Sequence, residues 1–468
     1  MARLASSTDL PGGVKTPAYD RSLLKPGIVH IGLGAFHRAH QAVFTQRALE
    51  SIFGPWGIVA VNLRSPEPVM AMQEQDGLFS VIVRSEGDDR AEVIGATVGW
   101  ICAAEDRARV LDLLSSEEVR IVTLTVSEKA YGLDPVSGGL DVAHPAVAAD
   151  LVNPHEPVGV LGFLVEALEL RKASGLPPFT ILCCDNLPSN GHIVRRLVLD
   201  MAEGRDPELA RWIAENGAFP SSMVDRIVPA ATDETRARAK NLLGVEDRLA
   251  IETEPFMQWV IEDRFVSRRP QWEAGGALFV DDVEPYEKMK LRLLNGSHTL
   301  IAHLGLLDGL EYVRDVMAIP ELRRLVARHM KAVLPTLDPV PGIDLDDYTS
   351  QLIARFANPA IAHRNAQIAS DSSQKLPQRI FAPAVEALAE GGDAAEFAYV
   401  VAAWIAAVTK LKDCNDPRRE EILRAANTVD AADPSAPFFA IEGLFPDALV
   451  KARGWRDLVN VELARWKR

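Results

Sequence analysis

Residues 286–305 read YEKMKLRLLNGSHTLIAHLG, placing a lysine, an asparagine and a histidine in a helical stretch that is otherwise apolar. At about 100° per residue with Lys290 at zero, Glu287, His298 and Asn295 fall at about 60°, about 80° and about 140°. Met289, Leu293 and Leu300 gather between about 260° and about 300° on the same wheel. One face packs and the other presents chemistry. A single lysine or histidine on a helix is ordinarily a surface residue, since lysine is almost never buried unpaired. Here four polar groups share one arc between the apolar runs LRLL and TLIAHLGLL. An amine beside a carboxamide and an imidazole is a set suited to proton transfer.

A second candidate lies near the start of the chain. Residues 27–34, GIVHIGLG, form an apolar strand running into a glycine turn, and residues 35–49 are a plausible helix. Gly32 and Gly34 match the first two glycines of the dinucleotide fingerprint, where they give a tight turn and let backbone approach a pyrophosphate at a helix N-terminus formed by Ala35 and Phe36. His37 stands where the third glycine would be, so strand and helix are predicted to pack less closely there. A glycine turn can join any strand to any helix, and only its position between strand and helix favours a nucleotide. After the next apolar run, WGIVAVNL, Glu67 could hold an adenosine ribose, whereas Arg64 could meet a 2′-phosphate. NAD is preferred to NADP, and both residues could equally belong to a surface loop.

These sites require elements to hold them. Apolar runs at residues 56–63, 78–85, 119–126 and 179–185 alternate with helical stretches such as AEDRARVLDLLSS and VGVLGFLVEALELRKA, which predicts a Rossmann-type, doubly wound α/β domain. Long helical patterns dominate after the linker VDDVEPY, at residues 286–307, 319–334, 345–356, 397–411 and 418–427. The predicted division is a dinucleotide-binding domain over residues 1–282 and a mainly α-helical substrate and catalytic domain over residues 283–468. With 468 residues, 48% hydrophobic and 25% charged, the chain has ample core for two domains. Its net charge of −15 disfavours nucleic acid and anionic membrane surfaces. The first twenty residues lack the apolar core of a signal peptide, and FAYVVAAWIAAV is too short to span a bilayer. Cys102, Cys183, Cys184 and Cys414 show no zinc-like spacing. A cytoplasmic protein without a metal is expected, as a monomer or homodimer acting on a small molecule.

Seven segments in order, GIVHIGLGAFHRAHQAVF, TLTVSEKAYG, CDNLPSNG, FPSSMVDRIVPA (residues 219–230), EPFMQWVIED, YEKMKLRLLNGSH and ASDSSQKLPQRIF, resemble the long-chain, polyol-type dehydrogenases that include mannitol 2-dehydrogenase and fructuronate reductase. The resemblance spans nearly the whole chain and implies a metal-independent enzyme that transfers hydride to or from NAD. It implies that Lys290, Asn295, His298 and Asn186 are catalytic, with Glu287 one turn before the lysine. Glu128 falls on a further site position of the family.

The chemistry explains these residue types. Oxidising a secondary alcohol without a metal requires a group that takes the hydroxyl proton, and a lysine held neutral in a dry pocket can do so, at a cost of roughly 3 to 5 kcal/mol. Lys290 is then the base in oxidation and the acid in reduction. Two carboxamides, Asn186 and Asn295, can donate to the alkoxide oxygen. His298 would orient Lys290 or a substrate hydroxyl, and Glu287 would pass protons to solvent. Taken by itself Asn186 would read as an Asx turn before Pro188, and the family resemblance favours the catalytic role instead.

The segment SDSSQKLPQRIF bears on substrate, because its QKLPQR form resembles the fructuronate reductases more than the mannitol enzymes. A cation there, Lys375 assisted by Arg379, could bind the C1 carboxylate of D-mannonate. A solvated helix end is the alternative, with mannitol or arabinitol 2-dehydrogenase as the corresponding activity. SEKAYG departs mildly from the family pattern and leaves the substrate open. A catalytically idle dinucleotide-binding sensor is the competing class, but such a protein would be expected to have lost members of the Lys290, Asn295, His298 and Asn186 set. A β-hydroxyacid dehydrogenase also uses lysine and asparagine, and FPSSMVDRIVPA argues against it.

Overall fold

The structure is a computed structural model describing residues 2–6, 8–134, 137–429 and 432–466. The chain divides into two compact units, Met1–Val283 and Glu284–Arg468.

The first unit is built on five parallel strands: β1 (Pro26–Ile31), β2 (Gly57–Asn62), β5 (Thr97–Cys102), β6 (Ile121–Leu124) and β7 (Thr180–Cys183), in the order β5-β2-β1-β6-β7. Register is held by pairs such as Ile28↔Ile58, Ile28↔Ile121 and Ile121↔Thr180. Both faces of this sheet are covered, so its strands read as mostly apolar runs instead of strictly alternating ones. Val29, Ile31, Val122 and Leu124 pack on one side with helices Val160–Ala173 and Asn190–Glu203. Ile28, Ala60, Ile121 and Leu182 pack on the other with Phe44, Trp259 and Trp272. The fold is the predicted Rossmann-like one, followed by a helix-rich second unit.

Three local expectations change. The apolar run at residues 78–85 forms β3 (Phe79–Val83), but outside the main sheet. It pairs antiparallel with β4 (Arg90–Ile94) and parallel with β9 (Ile251–Thr253) in a sheet of its own. The connection from β3 to β4 is a short turn, which can join only antiparallel neighbours. The parallel edge goes to β5, whose TVGWIC carries no helical crossover signal. A third small sheet joins β8 (Ser222–Asp225), β10 (Gln258–Glu262) and β11 (Leu278–Val280).

The helix expected over residues 35–49 is two helices, α1 (Ala35–Ala39) and α2 (Gln41–Ser51), broken at His40 with φ −126° and ψ −88°. The His40 ring turns to the Gln258 carbonyl through Nε2 at 2.8 Å and lies against Phe36, Phe44 and Trp259.

In the second unit the stretch predicted as one helix over residues 286–307 is three pieces. Helix Glu284–Met289 leads into a π-helical turn, Lys290–Asn295, and then into helix Gly296–Asp308. A second π turn, Pro377–Phe381, separates helices Ser372–Leu376 and Ala382–Ala389. Helix Ala395–Leu411 holds FAYVVAAWIAAV, where every residue but Tyr399 is buried. Among the described residues no helix is long and apolar enough to cross a membrane.

Candidate active site

In the first unit the glycine turn lies where the strand order reverses. The sheet runs outward from β1 through β2 on one side and from β6 through β7 on the other, so a crevice opens at the carboxyl ends of β1 and β6. Gly32 has φ +108°, and a Cβ there would lie 2.1 Å from the Thr125 carbonyl oxygen at the end of β6. Only glycine fits. A Cβ on Gly34 would meet nothing closer than the Gly32 oxygen at 3.8 Å, leaving open space beside the turn and the start of α1. That is the arrangement a pyrophosphate needs.

His30 fastens this turn. Its ring bonds to Thr123 Oγ1 at 2.7 Å through Nδ1, and to the Gly32 oxygen at 2.9 Å and Thr125 Oγ1 at 2.8 Å through Nε2. Thr125 Oγ1 also donates to the Gly32 oxygen at 2.9 Å. The His37 ring, in the third-glycine position, stacks on His30 with centroids 3.4 Å apart. Strand and helix are thus joined by two buried imidazoles in place of a bare glycine contact. Burial holds His30 at about 3, while burial and then the neighbouring His30 hold His37 well below the ordinary histidine range. Phe36 and Ala35 are partly buried at the start of α1. Arg64 and Glu67 are both exposed just beyond β2, with Glu67 opening helix Glu67–Glu74.

Asn186 is exposed and directly follows the carboxylate Asp185, just past the carboxyl end of β7. The loop is tied by its neighbour. Asp185 accepts from the amides of Val126 and Ser127 at 2.9 and 3.1 Å and from the Tyr131 hydroxyl at 2.8 Å. Asn190 Nδ2 donates to the oxygens of Asp185 and Ser222 at 3.0 and 2.8 Å. Ser127 adopts φ +78° and leads into the short 3-10 turn Glu128–Tyr131, which exposes Glu128. The structure therefore holds Asn186 and Glu128 on adjoining loops of one sheet edge, through Asp185. Sequence reasoning missed both Asp185 and His30, although each lies within a segment that carried the family resemblance.

In the second unit, Glu287, Lys290 and Asn295 are half-buried and His298 is 6% exposed. The π turn is anchored by Arg292, whose guanidinium makes paired bonds to Glu386 at 2.6 and 2.5 Å and donates to the Thr336 oxygen at 2.6 Å. His298 packs on Phe356 at 4.4 Å between centroids and meets the His363 ring edge-on at 5.3 Å. Burial, then His363, Arg379, Arg355 and Lys290, push His298 well below its ordinary range. His363 is held at about 4 by burial and then by Lys375. Four cations thus bear on two neutral imidazoles. Lys375 Nζ donates to the oxygens of Ile368 and Ser370 at 3.1 and 2.5 Å, and Arg379 NH1 to the Asn295 oxygen and Thr299 Oγ1, both at 3.3 Å. Arg355 and His363 carried no sequence signal, since they come from a helix end and a loop far along the chain. Among the described residues no three His, Cys, Asp or Glu side chains gather as a metal site would need.

Residues 26–274 match the mannitol dehydrogenase Rossmann domain and residues 282–437 the mannitol dehydrogenase C-terminal domain. The chain belongs to the mannitol dehydrogenase family. It is an oxidoreductase of that family. It is 42% identical over 447 residues to D-mannonate oxidoreductase of Escherichia coli strain K12, covering 93% of this chain and 92% of that protein. It is 39% identical over 452 residues to mannitol 2-dehydrogenase of Aspergillus terreus, covering 93% and 90%. The solved ternary complex of Pseudomonas fluorescens mannitol 2-dehydrogenase with NAD and D-mannitol superposes with a TM-score of 0.89 at 36% identity, covering 99% and 97% of the two chains. Family membership thus accounts for the glycine turn and for the Lys290–His298 stretch lying in separate units, each matched by its own family domain.

Proposed function

We propose that this chain interconverts a secondary alcohol and a ketone on a sugar acid, D-mannonate and D-fructuronate, using NAD(H), with Lys290 as general acid and base. The observation that carries the acid substrate is the gathering of Lys290, Arg355, Lys375 and Arg379 about His298 and His363. Cationic side chains brought to one partly buried site can pair with a substrate carboxylate, which a neutral polyol lacks. Lys375 is the proposed partner of the substrate carboxylate, with Arg379 nearby.

The glycine turn fits a dinucleotide, with Gly32, Gly34, Ala35 and Phe36 lining it, His37 supporting it from beneath by stacking on His30, and Arg64 and Glu67 on the ribose side. NAD, the cofactor in the solved mannitol 2-dehydrogenase, would accept or return the hydride. In oxidation Lys290 takes the hydroxyl proton, and in reduction it returns it. Asn186 and Asn295 donate N–H groups to the oxygen as it gains negative charge. His298, kept neutral by burial and by its cationic neighbours, acts by hydrogen bonding and not by charge. Glu287 relays the proton to solvent, and Glu128 contacts the substrate. The D-mannitol of the solved relative favours a second reading, a polyol 2-dehydrogenase. A spectrophotometric panel of NADH and NADPH against D-fructuronate, D-tagaturonate and D-fructose tests both. Oxidation of NADH with D-fructuronate is expected, and turnover confined to D-fructose would overturn the acid reading.

A further inference from the structure

The second unit contains two π-helical turns, Lys290–Asn295 and Pro377–Phe381, and each resumes as an α-helix. The five-residue step is visible at both ends, where the amide of Gly296 donates to the Leu291 oxygen and that of Ala382 to the Pro377 oxygen. Such turns are rare and are often found at functional sites. Here the two are packed on each other. A Cβ on Gly296 would lie 3.3 Å from His329 Nε2, 3.4 Å from the Arg379 carbonyl oxygen and 3.8 Å from Ile380 Cδ1, which places the second turn's backbone directly against the start of the helix that follows the first.

Two arginines cross between them in opposite directions. Arg292 leaves the first turn and makes its paired bonds to Glu386, on the helix that continues the second. Arg379 leaves the second turn and donates through NH1 to the Asn295 carbonyl and to Thr299 Oγ1, both at 3.3 Å. Thr299 Oγ1 itself donates to the same Asn295 carbonyl at 3.0 Å, closing a small ring of bonds on the residue that ends the first turn. The two ties differ in what they hold. Arg292 fastens the middle of the first turn to a distant helix, whereas Arg379 grips the backbone of Asn295 itself.

We propose that Arg379 is a positioning residue, which fixes the end of the first π turn and so the direction in which Asn295 presents its carboxamide and Lys290 its amine. This rests on the proposed function, since it assigns Arg379 to the alignment of those two groups. A point contact with the substrate carboxylate, the role suggested by its place after Lys375, would leave the bonds to Asn295 and Thr299 without a purpose in the reaction. The distinction is measurable, because alignment acts on every substrate whereas a carboxylate contact acts only on acids.

The test compares Arg379→Ala, Arg379→Lys and Thr299→Val with the wild type, using D-fructuronate and D-fructose at saturating NADH. Misplacing a reacting group by about 1 Å costs on the order of 10²-fold in rate. Arg379→Ala is therefore expected to lower kcat roughly ten- to a hundredfold for both substrates by a similar factor, with KM for the acid changed less than about threefold. Arg379→Lys should restore part of the loss, and Thr299→Val should reproduce a smaller one. A rise in KM for D-fructuronate alone, with kcat kept, would make Arg379 a carboxylate ligand and overturn the proposal. Unchanged kcat in Arg379→Ala, or in Arg379→Lys and Thr299→Val if the alanine variant does not fold, would overturn it equally. Lys290→Ala is assayed alongside. Near-normal turnover in that variant refutes the proposed function itself, whereas lost turnover there with full activity in the Arg379 variants refutes only this inference.

Discussion

Replacing Gly32 and Gly34 separately by alanine tests the cofactor turn, because the two positions differ in what a methyl group would strike. Alanine at residue 32 must adopt φ +108°, a strain of about 1 to 3 kcal/mol. Its Cβ would also lie 2.1 Å from the Thr125 oxygen, where ordinary contact begins at 3.4 Å, so the ends of β1 and β6 must part by more than an ångström. Parting them pulls the Gly32 carbonyl away from His30 and Thr125, and a buried acceptor left unmet costs about 1 to 3 kcal/mol. Together these predict a loss of roughly 2 to 6 kcal/mol, or a fall in Tm of about 5 to 20 °C for a unit of this size. Alanine at residue 34 has φ −93° and no neighbour within 3.4 Å, so Tm should stay within about 2 °C. The methyl nevertheless fills the open space beside the turn, and NADH affinity should fall at least about tenfold, or 1.4 kcal/mol. Thermal melts with NADH fluorescence titration read both quantities. Gly34→Ala binding NADH as tightly as the wild type would refute the placement of the pyrophosphate. Gly32→Ala melting with the wild type would refute the steric reasoning.

Further outcomes follow from the second unit and from the buried histidines. Lys290→Ala should lose at least about 10²-fold in turnover with NADH affinity little altered. The wild-type pH profile should show one group, deprotonated for oxidation and protonated for reduction. Chelator treatment should leave turnover unchanged, since two carboxamides are proposed to stabilise the alkoxide; a stoichiometric metal whose removal abolishes activity would contradict this. Burial holds His30 and His303 at about 3 and His329 and His363 at about 4, against about 6.5 in an unfolded chain. Below pH 6.5 the unfolded chain therefore binds protons that the folded chain refuses. Stability is full above that pH and falls toward pH 4, by roughly 1.4 kcal/mol per pH unit for each histidine. Melts from pH 7 to 5 should show the fall, and His329→Phe should make it shallower; a flat profile would contradict the burial argument.

The parts of the fold legible in the sequence are those where local chemistry and long-range packing ask for the same residue. Gly32 is required by its own φ and by the Thr125 carbonyl, and the buried strands β1, β2, β6 and β7 are mostly apolar on both sides, with buried His30, Thr123 and Thr180 among the exceptions, because both faces of the sheet are covered. The helical second unit follows from long apolar periodicity for the same reason. Elsewhere the two levels part. The strand at residues 78–85 looks like a parallel strand until the short turn to β4 makes it half of a hairpin. The wheel drawn for residues 286–305 assumes 3.6 residues per turn, and the π turn from Lys290 to Asn295 breaks that spacing; helix Gly296–Asp308 is then buried on nearly every side. His37 reads as a missing glycine, but it stacks on His30, a partner seven residues away across the turn. Arg355 and His363 reach His298 only through tertiary packing, which no periodicity encodes.

The most direct test of an acid substrate is the ratio of kcat/KM for D-fructuronate to that for D-fructose, measured in the wild type and in Lys375→Ala. The wild type should prefer the uronate strongly, since fructose carries a neutral hydroxymethyl group where the uronate carries charge. A charge-assisted contact is worth about 1.5 to 3 kcal/mol, so Lys375→Ala should narrow the ratio by about 10- to 150-fold through the acid alone. A wild type that prefers fructose, or a Lys375→Ala variant that weakens both substrates equally, would contradict the carboxylate role and favour the polyol enzyme instead.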